Sequence, residues 1–120
     1  MTNYFGKLGT NEAKILEQFN PTIMKYIKAQ NSADVDLFIS LFDDKHQPLL
    51  NPAAFHESQT KLKTDLGRII QTSFLCSIRK KGDPWLLYKV DFDKSEDDHI
   101  LTVIINDDDR DWRIKGVWIS

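Results

Sequence analysis

Apolar residues recur every four positions at Ile15, Phe19, Ile23 and Ile27, the spacing at which one face of a helix meets a core. Pro21 interrupts the stripe. Without a backbone donor, but well suited to a first helical turn, it predicts either a kink or a fresh start after Asn20. A second helix is predicted from Ser32 as N-cap and Asp34 in the first turn, with Val35, Phe38, Ile39 and Phe42 at spacings of three and four and an end near Asp44. The clearest start is Asn51-Pro52, a cap followed by proline. From it Phe55, Gln59, Leu62 and Leu66 form one stripe, which Gly67 closes.

Beyond Gly67 the period drops to two. Four extended segments, about residues 69–79, 85–93, 98–106 and 111–119, alternate with polar turns. Helices over about 11–67 and strands over about 69–119 predict one α+β domain spanning 1–120, since neither half has a complete core of its own. The sheet is expected to be a four-stranded antiparallel meander.

Turn positions suggest a register. A turn over Lys94 to Asp97 sets Phe92 beside His99, Val90 beside Leu101 and Tyr88 beside Val103. The next turn, Asp107 to Arg110, sets His99 beside Trp118, Leu101 beside Gly116, Val103 beside Ile114 and Ile105 beside Trp112. A three-residue turn at Lys81-Gly82-Asp83 adds Phe74, Cys76 and Ile78 to the same inner face. The outer face then carries Leu75, Leu87, Ile100, Ile104, Val117 and Ile119, more apolar than a sheet open to water requires, which suggests cover by a second copy of the chain.

Composition narrows the function classes. Sixteen Lys and Arg stand against 18 Asp and Glu, and the parts before and after Gly67 are equally near neutrality, so no basic region attracts nucleic acid or an anionic membrane. The first ten residues lack the apolar core of a secretory signal, and no apolar run is long enough to span a bilayer, so a cytoplasmic protein is expected. Cys76 is the single cysteine. It excludes an internal disulfide and, placed between Phe74 and Ile78 on the inner face, reads as an inert thiol.

The stretch Ala29 to Phe42, the segment LLNPAAFHESQTKLKTDLGRI and the ending DWRIKGVWIS together resemble the nuclear transport factor 2-like, or cystatin-like, superfamily. The likeness is greatest to small bacterial members of unknown function. It implies a strongly curved sheet wrapped around helices, a cone with a cavity at one end, and dimers through the outer face. Members include isomerases, dehydratases, hydrolases and binding modules, so the fold alone assigns no reaction.

Enzymatic members place an Asp, His or Tyr inside the cone. Here His99 and Tyr88 fall on the inner face, but Asp91 points outward and Asp93 sits at a turn, so neither has a carboxylate beside it. No catalytic residue is assigned. Cavity candidates are Tyr88, Phe92, His99, Trp112, Gly116 and Trp118, with Gly116 removing a side chain from an otherwise bulky face. The acidic tip Asp107, Asp108, Asp109 and Asp111 lacks the glycine and glutamate of a calcium loop, and His46, His56 and His99 have no ligand spacing, so no metal is expected. No glycine-rich phosphate loop appears, and no cofactor is expected.

The sequence therefore predicts a non-enzymatic domain, a homodimer, binding a small apolar molecule or a protein partner. Two alternatives stand beside it: a lyase or isomerase using His99 and Tyr88, and a structural interaction subunit with a filled cone.

Overall fold

A computed structural model describes residues 2–120. Three helices, α1 (Glu12–Ser32), α2 (Val35–Ser40) and α3 (Pro52–Asp65), precede strands β1 (Ile69–Lys80), β2 (Asp83–Phe92), β3 (His99–Ile105) and β4 (Ile114–Ile119). The strands form one antiparallel sheet in the order β1-β2-β3-β4. This is the predicted α+β arrangement, with helices first and a meander after them. Ile15, Phe19, Ile23 and Tyr26 of α1 pack against Leu86, Val90, Leu101, Val103 and Ile105 of the sheet in one core. No helix among the described residues is long and apolar enough to cross a membrane.

Helix α1 runs through Pro21 without a break. Pro21 and Glu17, whose carbonyl loses its helical partner, both lie on the exposed side, where water replaces the missing bond. The helix ends when Ala33 turns left-handed, with φ 54°, and the next cap is Asp34, whose carboxylate accepts from the Leu37 amide at 3.0 Å. Ser32 is the last residue of α1, its hydroxyl donating to the Lys28 carbonyl, and not the cap expected of it. Asn51 caps α3 as predicted, accepting from the amides of Ala53 and Ala54. Gly67 ends it at φ 89°, where a β-carbon would lie 1.8 Å from Asp93 Oδ1.

The sheet departs from the predicted register at every turn. Lys81 and Gly82 alone link β1 to β2, both at positive φ (53° and 82°), so Ser77, not Ile78 or Cys76, joins the inner face opposite Leu86. A bulge between Phe74 and Cys76 then returns Phe74 inward beside Tyr88. Cys76 consequently pairs with Leu87 on the outer face, half-buried, and the expected inner placement is corrected. Between β2 and β3 the register moves by two residues: Val90 faces His99 and Tyr88 faces Leu101, which leaves each side chain on its predicted face.

The third connection changes faces outright. Ile105 pairs with Ile114 but Ile104 pairs with Gly116, so Lys115 is an extra residue on β4. Everything after it reverses. Val117 and Ile119 oppose Val103 and Leu101 and pack on the core, whereas Gly116 and Trp118 oppose Ile104 and Thr102 on the outer face. Two of the expected dimer residues, Val117 and Ile119, thus point inward, and two of the expected cavity residues, Gly116 and Trp118, point outward.

Candidate functional site

The two ends of β4 belong to different environments. At its start, Ile114 donates to the Leu41 carbonyl and accepts from the Asp43 amide, both at 3.0 Å, so residues 41–43 form a short parallel addition to the sheet. The chain then passes through a 3₁₀ turn, Gln47–Leu49, and reaches the cap of α3. This detour holds α3 away from β4. Between them, and against the last turns of α1, lies a cleft of about 660 Å³.

Its floor is an aromatic cluster. Phe38 of α2 stacks near Phe55 of α3 (centroids 4.5 Å apart), touches Phe42 edge-on (5.2 Å) and approaches Tyr26 of α1 (6.4 Å). Phe38 and Phe55 occupy inward positions of the helical stripes that the sequence displays, whereas Phe42 lies past the end of α2, which stops at Ser40 and not near Asp44, and is held inward by its bridge to Ile114. Leu50, Leu62, Val117 and Ile119 extend the apolar lining. Burial pushes the Tyr26 phenol up, leaving it neutral in the physiological range. The helices that wall the cleft are tied together by Gln59, which donates to the Gln30 carbonyl at 3.0 Å in a buried position.

Of the six cavity residues expected from sequence, only Trp118 lines this cleft. It reaches it from the outer side, 41% exposed and edge-on to Trp85 at 5.1 Å. Tyr88 lies in the core against Phe74 (5.5 Å), and burial pushes its phenol up. Phe92 is buried in the core at the end of β2, pairing with Ile69. His99 begins β3, edge-on to Phe92 at 5.4 Å with Nε2 3.2 Å from the Ser95 hydroxyl, outside the cleft lining, and Trp118 is not its strand partner. Trp112 precedes β4 with φ 60°, and its carbonyl accepts from Thr22 at 2.9 Å. The space that Gly116 leaves is on the outer face, where Ile104 and Trp118 fill it. Leu87, Ile100 and Ile104 stay on that outer face, and Leu75, the extra residue of the β1 bulge, is 49% exposed.

A second, polar cleft of about 260 Å³ lies at the start of β4 and contains a group the sequence reading passed over. Asp43 is buried, and its Oδ1 accepts from the His46 amide (2.9 Å) and from His46 Nδ1 (2.6 Å), while Oδ2 accepts from Asn106 Nδ2 (2.8 Å). Because an ionised carboxylate only accepts, Nδ1 carries the hydrogen and the ring orientation is fixed. Burial pushes the Asp43 carboxyl up, but the bonds from His46 and Asn106 outweigh it and hold the group below its ordinary value. No Ser, Thr or Cys lines this cleft. The evident role of the Asp43–His46 pair is to fasten the segment after α2 to the β3–β4 connection, which Arg113 does as well by donating to the Phe42 carbonyl (2.8 Å) and Asp44 (2.6 Å). The sequence signal was available: an aspartate three residues before a histidine, in a loop.

The acidic tip is partly folded in. Asp107 is buried and accepts from the Lys7 amide at 2.8 Å, and Asp108 pairs with Lys7 Nζ at 2.5 Å. A β-carbon at Gly6 would fall 1.9 Å from Asp107 Oδ2, so the N-terminal turn approaches this loop as only glycine allows. Among the described residues, no group of three or more His, Cys, Asp or Glu is placed to hold a metal ion. Comparison with family models, with curated proteins and with solved structures finds no match.

Proposed function

We propose that this chain is a non-enzymatic binding domain that holds an apolar ligand in the cleft between its helices and the end of β4. The observation that carries the reading is the cleft itself: about 660 Å³, within the range of ligand sites, floored by Phe38 and Phe55 and offering few polar groups. The cluster of aromatic rings lines this space without filling it, which favours a ligand over a packed, purely structural interior. The lyase or isomerase alternative has less support, because His99 and Tyr88 lie outside the cleft and no histidine lines it. Helices followed by a four-stranded antiparallel meander, with an apolar cleft at one end of the sheet, are in keeping with kinship to the nuclear transport factor 2-like superfamily.

Ser58 provides the test. It is exposed on α3, lines the cleft and takes no part in the core, so Ser58→Trp occupies the space without disturbing the fold. Anilinonaphthalene sulfonate should bind the wild type saturably with enhanced fluorescence, and Ser58→Trp should weaken that binding by about tenfold or more at unchanged thermal stability. Dye binding that is absent, or equally strong in a folded Ser58→Trp variant, would remove the proposed site.

A further inference from the structure

We infer that the cleft accepts an extended peptide segment, added as a strand to the free edge of β4 with alternate apolar side chains entering the space beneath; this rests on the cleft being a binding site. Ile100 and Ser120 exchange both backbone hydrogen bonds, each 2.9 Å. In an antiparallel ladder such pairs alternate, so Thr102–Trp118 and Ile104–Gly116 are hydrogen-bonded pairs, and Val103–Val117 and Leu101–Ile119 are not. The amides and carbonyls of Val117 and Ile119 therefore point away from β3, along the edge of the sheet.

At several other points of the two edges such outward groups are taken up. Ile114 is bonded by Leu41 and Asp43, as described above. On the opposite edge, the Asn31 side chain bonds both the amide (2.9 Å) and the carbonyl (3.0 Å) of Ile69, and Asn3 accepts from the Ser77 amide at 2.9 Å. Val117 and Ile119 have no backbone or side-chain partner among the described residues. An open edge of this kind is a template for another strand.

The cleft shows what kind of strand. It is lined by Val117 and Ile119 from the inner face and by Trp118 from the outer face, so it runs along the edge of β4 and not only beneath the sheet. Its free donors and acceptors repeat every second residue, about 7 Å apart, the repeat of an extended chain whose alternate side chains would face the aromatic floor. The only charged lining residues, Lys61 and Asp65, sit one turn apart on α3 and cancel, so the complementary side chains are uncharged. A second copy pairing through its own β4 has no free apolar side chains to offer the aromatic floor, since its Val117 and Ile119 are packed against its own core. A small apolar molecule would fill the floor and leave the edge groups unbonded.

The full chain can be titrated with a fluorescent pool of acetylated, amidated peptides carrying Val, Ile, Leu or Phe at alternate positions and Thr between them. Binding should slow amide exchange at Val117 and Ile119 by about tenfold or more, and N-methylation of alternate peptide amides should weaken binding by about tenfold or more. Val117→Pro, which deletes an edge donor without touching a bond to β3, should weaken peptide binding by about tenfold or more in a chain that circular dichroism shows to be folded. Should that variant fail to fold, the methylated peptides on the wild type decide. Peptide binding without protection of Val117 and Ile119, equal binding of methylated peptides, or dye binding with no peptide binding would each overturn strand addition while leaving the cleft site standing. Absence of both dye and peptide binding in the wild type would sink the cleft as well. Protection of the same two amides in a concentration-dependent dimer would give the edge to a second copy and refute the peptide assignment.

Discussion

Asp43→Ala should be among the most damaging single changes outside the apolar core. The substitution removes three accepted bonds at once, from the His46 amide, the His46 ring and Asn106, and with them one of the links between the segment after α2 and the β3–β4 connection. Bonds to a charged acceptor contribute roughly 1.5–3 kcal/mol each when their donors are left without water. The loss here is smaller than three full bonds, because the His46 side chain is 27% exposed and its ring can turn to solvent. A net cost of about 2–4 kcal/mol follows, which for a chain of 120 residues lowers the melting temperature by roughly 8–16 °C. Asn106→Ala removes the Oδ2 partner of Asp43 and also the side-chain acceptor of the Asp108 amide, and should cost about 1–2 kcal/mol.

Acidity supplies a second signature of the same group. The folded pKa of Asp43 is depressed, so its contribution is complete above the unfolded carboxylate value, about 4, and is lost as pH falls through the lower folded value. Asp43→Asn keeps the shape but not the titration. Urea denaturation of wild type and Asp43→Asn across pH 2 to 7 should therefore show a stability difference that is constant near neutrality and narrows below about pH 4. A difference that stays constant throughout, or an Asp43→Ala variant within about 0.5 kcal/mol of wild type, would refute the idea that this carboxylate holds the connection.

Ile114→Ala and Trp118→Ala test the reversal of faces along β4. Ile114 is 1% exposed and should cost about 2–4 kcal/mol by thermal or urea denaturation, whereas Trp118, on the outer face, should cost under about 1.5 kcal/mol despite its size; the opposite ranking would mean that Lys115 is not a bulge. Gly67→Ala forces a β-carbon against Asp93 at φ 89° and should destabilise by at least about 2 kcal/mol, with Asp93→Ala in the same chain relieving the clash but not the backbone strain of about 1 kcal/mol. Because Asp93→Ala alone also removes the acceptor of the Arg68 amide, losses in the double variant equal to the sum of the two single losses in calorimetry would show that Asp93 is not the obstacle.

Local chemistry was legible wherever one residue type suffices to dictate a conformation. Asn51 followed by Pro52 placed the start of α3, Gly67 placed its end, and the four-residue recurrence of Ile15, Phe19 and Ile23 gave the buried face of α1. The change of period after Gly67 divided helices from strands. Each of these signals acts within a few residues, at the range over which backbone sterics and side-chain caps operate. The aromatic floor of the cleft was half visible, because Phe38, Phe42 and Phe55 stood on helical stripes, but nothing in their spacing told which stripes would meet.

What the chain alone could not settle is the pairing of one strand with the next. Alternation assigns a residue to one of two faces only while the count is unbroken, and a single extra residue reverses every assignment after it. Lys115 is that residue on β4, and it exchanged Trp118 for Ile119 in the core; a second irregularity between Phe74 and Cys76 did the same on β1. Neither carries a local mark, since each forms because distant partners demand it: Ile114 is bonded by Leu41 and Asp43, and Ser77 by Asn3. The cleft likewise arises from the distance at which residues 41–51 hold α3 from the end of β4, a separation set by contacts far apart in sequence and recorded in no motif.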